Sequence, residues 1–570
     1  MMNVICRRSA IVILSLLIAL FMTISPCSLA QESAFDHEVE NLEKLCLVWG
    51  YVKYTHPSYL AARRDWDADL LSLIEPVAEA QTSEAVNEIL RQYVESLGEF
   101  DYGTDFVDAA WAALGENQRV FLAQTDWRCD AEYLGEELSA LLVQFNEIPT
   151  IYRGNAPVCS SPSSPDGITV RFDNEPVYQN MDYADDGYRL LGLFRLWNAI
   201  EYYYPYADVL DGDWHELLPA MIARMLEGDD RQSYQLTLYA LAAKLQDAHA
   251  AWTDVMPLLE EIGAYCVPVS WLYIEDQVVV YEAYDECALQ PGDVILTMNG
   301  VDMKEMISRR RAYISVTEET KLVNAMGYYL LCSPEQKIKL TILRGTDEIS
   351  MTVQGSERFY IARVLPKQSH HILDGNVGLI QPAYLTSEKD IHRIMNEFSD
   401  TDGLIIDLRQ PSAVTMHEAF GEYLVGERTA FALWRYPSWT IPGAYAQYDV
   451  RYVGAGGLKY DRPVVLLIDE RTQSHGEYTA MALSKGEHVT LMGSNTVGSD
   501  GNVTLLAMPD GNILQFTGWG VLTADGKQTQ RIGVSPDIRV PYTVQGISEG
   551  RDELMDAAVQ YLINQQSIES

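Results

Sequence analysis

Ser474 lies in Glu470-Arg471-Thr472-Gln473-Ser474-His475-Gly476-Glu477, between an apolar run at 463–469 and the helical stretch that follows. A serine at a strand-to-helix turn can act as a nucleophile, with the helix N-terminal amides placed to receive an oxyanion. By residue type alone a plain helix N-cap is the more common role of such a serine. A hydroxyl nucleophile needs a base to take its proton, and histidine is the usual one. Two candidates present themselves, His249 at the end of Leu245-Gln246-Asp247-Ala248-His249, and His475 beside the serine. Neighbours i and i+1 do not share a helix face, so His475 is expected to contribute mainly its backbone N–H. A lone histidine at a helix end is ordinarily a polar terminus. The elements around His249 therefore have to decide its role.

Those elements begin with a duplication. Leu42, Leu45, Trp49, Tyr54, Pro57, Asp65, Trp66, Leu70, Ile74 and Leu97 recur without a gap as Leu190, Leu193, Trp197, Tyr202, Pro205, Asp213, Trp214, Leu218, Ile222 and Leu245. The spacing within each copy is that of a helix face broken at His56-Pro57 or Tyr204-Pro205, which predicts two small helical units. Only the second carries the histidine; Asp101 stands at that position in the first, which is expected to be a scaffold without chemistry.

From 262 to 358 short strand-forming runs surround Ala288-Leu289-Gln290-Pro291-Gly292-Asp293-Val294-Ile295-Leu296-Thr297-Met298-Asn299-Gly300. The order of Pro-Gly-Asp turn, buried strand and Asn-Gly hairpin resembles PDZ domains, which accept a C-terminal peptide as an added strand. The carboxylate loop of such a module falls near 265–269, without the usual Gly-rich form. Apolar runs at 377–380, 403–409 and 463–469 then predict buried strands of an α/β core.

Asp247 and His249, the β-rich module, Asp407-Leu408-Arg409, Asp469/Glu470/Thr472/Ser474/Glu477, Thr496-Val497-Gly498-Ser499-Asp500-Gly501 and Gly533-Val534-Ser535-Pro536-Asp537 follow one another in an order that resembles the C-terminal processing (tail-specific) serine peptidases. The resemblance spans about 188–545. It implies Ser474 as nucleophile. The processing enzymes place a general-base Lys where this chain has Ser499, whereas the tricorn-core-like branch uses a histidine ahead of its PDZ module, matched here by His249. It further implies an oxyanion site from the backbone amides of His475 and Ser412. Gln410-Pro411-Ser412-Ala413 replaces the usual Gly-Gly there, and Gln530 takes the place of a supporting Glu. Gln530 is expected to accept a hydrogen bond from the imidazole without supplying charge.

The expected architecture is an α/β multidomain chain: signal peptide 1–30, inactive helical repeat 31–110, connecting region 111–187, helical repeat with His249 at 188–255, PDZ-like β-rich module 262–358, ClpP/crotonase-like core 368–545 and C-terminal helix 546–570. The function expected is an exported serine endopeptidase acting on polypeptides, with no metal or organic cofactor. Its alternatives are a weak or inactive peptidase-fold protein binding peptides or small apolar ligands, and an acyl-thioester enzyme of the crotonase group, which the lack of a basic phosphate loop disfavours. Substrate-binding residues and oligomeric state are open.

Composition agrees with that class. The 570 residues are 48% hydrophobic and 21% charged, as in globular proteins. Lys+Arg 41 against Asp+Glu 81 gives a net charge of −40, which repels phosphate backbones and argues against a nucleic-acid partner. Arg7 and Arg8, an apolar run and Ser28-Leu29-Ala30 read as an export signal, with no later run long enough to span a membrane. Pro26 makes Cys27 a poor lipoprotein anchor. Six other cysteines, Cys46, Cys129, Cys159, Cys266, Cys287 and Cys332, carry no metal-ligand spacing and leave buried thiols and disulfides equally open.

Overall fold

The computed structural model describes residues 26–99, 109–145, 155–160, 169–285, 287–318, 321–358, 368–412 and 414–569. Most of the signal sequence and Asp101 lie outside the described residues. The chain is a mixed α/β multidomain protein in which three kinds of unit meet around Ser474.

Helices Pro26–Thr55, Pro57–Leu60, Trp66–Ala78 and Ser83–Ser96 come from the first repeat, and Asp186–Tyr203, Trp214–Glu227 and Arg231–Ala243 from the second. Equivalent residues do equivalent work. Asp65 and Asp213 cap the helices that follow them, accepting from backbone N–H groups one turn in. The Trp49 indole donates to the Trp66 carbonyl (2.8 Å) and the Trp197 indole to the Trp214 carbonyl (3.2 Å). The two copies share one apolar core that also takes in Leu506, Met508, Leu514 and Phe516 from the C-terminal part. At its centre Asp67 of the first copy meets Arg195 of the second at 2.6 Å, and Glu175 of the connecting region holds both Arg195 (3.1 Å) and Lys53 (2.7 Å). All four side chains are fully buried, so removing one partner would strand a charge in the core.

The middle unit is a six-stranded sheet. Val269–Ile274, Gln277–Ala283, Val294–Met298, Lys337–Arg344 and Asp347–Gln354 pair antiparallel, with Val301–Asp302 added beside Val294–Met298. Asn299 and Gly300 both take positive φ in the hairpin between those last two strands, as an Asn-Gly turn requires. A disulfide joins Cys266 to Cys332, whose strands pair directly, while Cys46, Cys129 and Cys287 are free thiols.

The C-terminal unit is built on a second six-stranded sheet, in the order His370–Leu373, Val377–Ile380, Gly403–Asp407, Val464–Ile468, Val489–Gly493, Ile538–Arg539. The first pair is antiparallel and the rest parallel. Alternation along the strands sends Ile380, Leu404, Ile406, Leu466 and Ile468 to one face and Leu379, Ile405, Val465 and Leu467 to the other. Both faces are covered, the second by Leu554, Ala558 and Leu562 of helix Glu553–Glu569, which accounts for the unbroken apolar runs. A separate antiparallel sheet contains the long hairpin Thr429–Pro437 and Ala444–Val453, which sequence reading did not anticipate. Among the described residues no helix is long and apolar enough to cross a membrane.

Candidate active site

Ser474 sits at the carboxyl end of the Val464–Ile468 strand, immediately before helix His475–Leu483. Open parallel sheets commonly place their ligands at this end. Its backbone has φ 55° and ψ −120°, so it is no ordinary N-cap, which would be extended, and its side chain makes no capping hydrogen bond. A non-glycine residue in that conformation is strained and persists only where its surroundings hold it. Here they do so through its N–H, which donates to the Ser499 carbonyl (3.1 Å) and to the Glu477 carboxylate (3.0 Å).

Glu477 then pins the Gly-rich turn. Its carboxylate accepts from the Thr496 hydroxyl (2.5 Å) and from the N–H groups of Gly498 (2.7 Å) and Ser499 (3.0 Å). Gly498, at φ 75°, has no room for a side chain, since a Cβ would lie 2.6 Å from the Arg531 carbonyl carbon. The turn therefore holds Ser499 directly behind Ser474.

His249 reaches the same turn from the helical repeat. The two-residue strand Ala251–Trp252 pairs antiparallel with Ile513–Thr517, Ala251 opposite Gln515, so continuing that register brings His249 opposite Thr517. The imidazole Nδ1 lies 2.9 Å from the Thr517 hydroxyl and 3.1 Å from the Ser499 hydroxyl. Ser499 thus touches both partners, Ser474 through its carbonyl and His249 through its side chain. Among the described residues no hydrogen bond joins the Ser474 hydroxyl to the imidazole directly.

The carboxylate nearest the imidazole is that of Asp247. Fully buried, it accepts from the Ser499 hydroxyl (2.8 Å), the His249 N–H (3.0 Å), the Gln530 side-chain amide (3.3 Å) and the Thr517 N–H (2.8 Å). A buried carboxylate needs such donors to offset its lost hydration. Gln530 therefore meets the carboxylate, and Tyr204 at 3.5 Å, with no hydrogen bond to the imidazole among the described residues. The expected Gln530–imidazole contact is replaced by one step of separation, because Ser499 and Thr517 occupy the Nδ1 side. Asp247, Ser499, Thr517 and Glu477 acquire these contacts only in the fold; the sequence order had marked Asp247, Glu477 and Ser499 without assigning them roles.

The His475 ring turns away to the loop after the Gly403–Asp407 strand, where its Nε2 accepts from the Met416 N–H (3.2 Å). Burial lowers its pKa, keeping it neutral and able to accept. Ser412 belongs to that same loop, its hydroxyl donating to the Pro382 carbonyl (3.0 Å). The N–H groups of His475 and Ser412 have no acceptor among the described residues. Beyond the ring, His417, Tyr478 and Phe431 pack edge to face, and burial pushes the His417 pKa down to about 4. No cluster of three His, Cys, Asp or Glu side chains placed to hold a metal occurs among the described residues.

Residues 376–540 match the profile of Peptidase family S41. Carboxy-terminal processing protease CtpA of Bacillus subtilis (strain 168) is 24% identical over 268 residues, covering 45% of this chain and 50% of that protein. A carboxyl-terminal-processing protease of Synechocystis sp. is 23% identical over 265 residues, covering 44% of this chain and 55% of that protein. The chain thus matches about half the length of these curated relatives. Among solved structures, mature CPAF matches with a TM-score of 0.52 and 15% identity over 67% of this chain and 98% of that chain, which is a likeness of fold.

Proposed function

From the premise that residues 376–540 form a domain of peptidase family S41, we propose that the protein is an exported serine endopeptidase in which Ser474 is the nucleophile and His249 the general base. The observation that carries the reading is the convergence on Ser499 of a strained serine and a carboxylate-backed histidine distant in sequence. The His249 Nε2 takes the Ser474 proton as the oxygen attacks a peptide carbonyl, and returns it to the leaving amine. The N–H groups of His475 and Ser412 receive the oxyanion, and water then hydrolyses the acyl-enzyme. No metal or organic cofactor enters this scheme. The tricorn-core-like branch is favoured over a Ser-Lys dyad because the residue at the lysine position is Ser499.

Polypeptides are the proposed substrates, and the middle unit is proposed to act as a PDZ-like selector of their C-termini. Among the described residues its strand Val269–Ile274 ends the sheet, pairing on one side only, with helix Leu322–Met326 beside it. An added peptide strand would join there.

The deciding experiment is fluorophosphonate labelling together with peptide hydrolysis. Wild type is expected to be labelled and active; Ser474→Ala and His249→Ala, each folded by circular dichroism, are expected to lose both. An unlabelled, inactive wild type or an active Ser474→Ala would remove the peptidase assignment.

A further inference from the structure

We propose that the Ser499 hydroxyl is a positioning link between Asp247 and His249, fixing the imidazole as the tautomer whose nitrogen Nε2 is left free to accept a proton. The inference rests on the peptidase reading and deepens it.

The argument is one of proton counting. A serine hydroxyl has one proton to donate, and a carboxylate oxygen can only accept. At 2.8 Å from Asp247 the Ser499 proton is committed to the carboxylate, so toward Nδ1, 3.1 Å away, its oxygen is an acceptor. A hydrogen on Nδ1 meets that acceptor and the Thr517 oxygen at 2.9 Å, whereas a lone pair there would face the Ser499 lone pair, so the hydrogen is assigned to Nδ1 and the lone pair to Nε2. Asp247 cannot do this unaided, because its nearer oxygen is 3.9 Å from Nδ1, too far for a hydrogen bond. Thr517 approaches Nδ1 at 2.9 Å, but among the described residues its hydroxyl makes no contact with the carboxylate. Among the described residues Ser499 is the one hydroxyl that touches both.

When Nε2 accepts the Ser474 proton, the imidazolium keeps its Nδ1 hydrogen. Ser499 keeps its own proton as well, directed at Asp247, so no proton travels along the chain of contacts. The positive ring is stabilised through a polarised hydroxyl. Ser499 is fully buried and its N–H is held by Glu477, so the hydroxyl is aimed before substrate arrives.

A double-mutant cycle on the full chain tests this, with hydrolysis of a short chromogenic peptide as the readout. Ser499→Ala is expected to lower kcat by about tenfold to a hundredfold with KM little changed, since the effect falls on the reacting ring rather than on binding. Asp247→Asn should cost at least as much in the wild-type background but less than about threefold more in Ser499→Ala, because the link it acts through is already gone. Ser499→Cys, nearly the same volume with a weak acceptor, should lose about tenfold even if Ser499→Ala folds poorly. A Ser499→Cys enzyme with wild-type kcat, or additive effects of the two substitutions, would overturn the link. If those results came with inert Ser474→Ala and His249→Ala, the peptidase reading would stand. Active Ser474→Ala would instead sink both.

Discussion

Asp247 is the carboxylate nearest the His249 imidazole, and this decides what Gln530 is for. Its side-chain amide lies 3.3 Å from the Asp247 oxygen that also takes the Ser499 hydroxyl, at a site 1% exposed. An acid there, Gln530→Glu, would set a second carboxylate against the first, and two buried like charges at that distance cannot both ionise. The substitution is therefore expected to lower kcat by about tenfold or more instead of raising it, with a fall in thermal midpoint. An activity gain in Gln530→Glu would mean that Asp247 is not the site's anion. His475 offers the complementary test. Its ring accepts the Met416 N–H and so steadies the loop bearing Ser412, while its own N–H belongs to the backbone and survives truncation. His475→Ala should retain fluorophosphonate labelling and lose no more than about tenfold in kcat, against loss of both in His249→Ala. A dead His475→Ala beside an active His249→Ala would exchange the two roles.

Much of the element pattern could be read before folding. The three apolar runs at 377–380, 403–409 and 463–469 are strands because both faces of the parallel sheet are covered, and Trp49 and Trp197 mark equivalent helices because each indole finds the same kind of carbonyl. The hairpin Thr429–Pro437 with Ala444–Val453 was illegible for a physical reason: its register shifts break the two-residue alternation on which recognition depends. Contacts spanning 250 residues and more, such as Ser499 to His249 and Thr517 to Asp247, leave no local trace, so the serine turn between strand and helix was legible and the hydrogen bonds around His249 were not. Cysteine pairing was equally hidden, since any of fifteen connectivities fitted the six thiols. The observed bridge closes 66 residues within the middle unit. Chain-entropy reasoning puts such a crosslink at about 4 kcal/mol of stability. Replacing Cys266 and Cys332 together by serine should lower the denaturation midpoint followed by Trp271 fluorescence, and an unchanged midpoint would show that the bridge does not form in solution.

On the scale of the whole molecule, the middle unit is tied to the catalytic turns as well as to its neighbours in sequence. The Thr317 hydroxyl donates to the Val497 carbonyl (3.0 Å), and Lys321, buried with its pKa pushed down to about 8, donates to the carbonyls of Arg531 (2.9 Å) and Ile532 (3.2 Å). Those three hydrogen bonds reach the segments that hold Ser499 and Gln530. Between the units lies a cleft of about 530 Å³, in scale with small-ligand sites, whose walls include Tyr273 and Glu275 from the middle unit and Glu470 and Ser494 from the core. Burial and the neighbouring Asp469 raise the Glu470 pKa to about 7. The folded protein therefore binds a proton there between the ordinary carboxylate range and pH 7 that the unfolded chain does not, so this group favours folding in acid and its contribution is lost as pH rises through 7. Glu470→Gln should raise the thermal midpoint at pH 8 and change it little at pH 4; a variant equally stabilised at both would show that Glu470 does not titrate in that window. Tail selection is tested on the same architecture. If the edge strand Val269–Ile274 receives a substrate's last residues, its free carboxylate is part of what is bound, and amidation removes that charge without altering the scissile bond. A long substrate with an amidated C-terminus should then show a raised KM with kcat unchanged, while a chromogenic peptide too short to reach from Ser474 to the edge strand is cleaved equally in both forms. Equal KM for the free and amidated long substrates would remove the selector role and leave Ser474 and His249 as they stand.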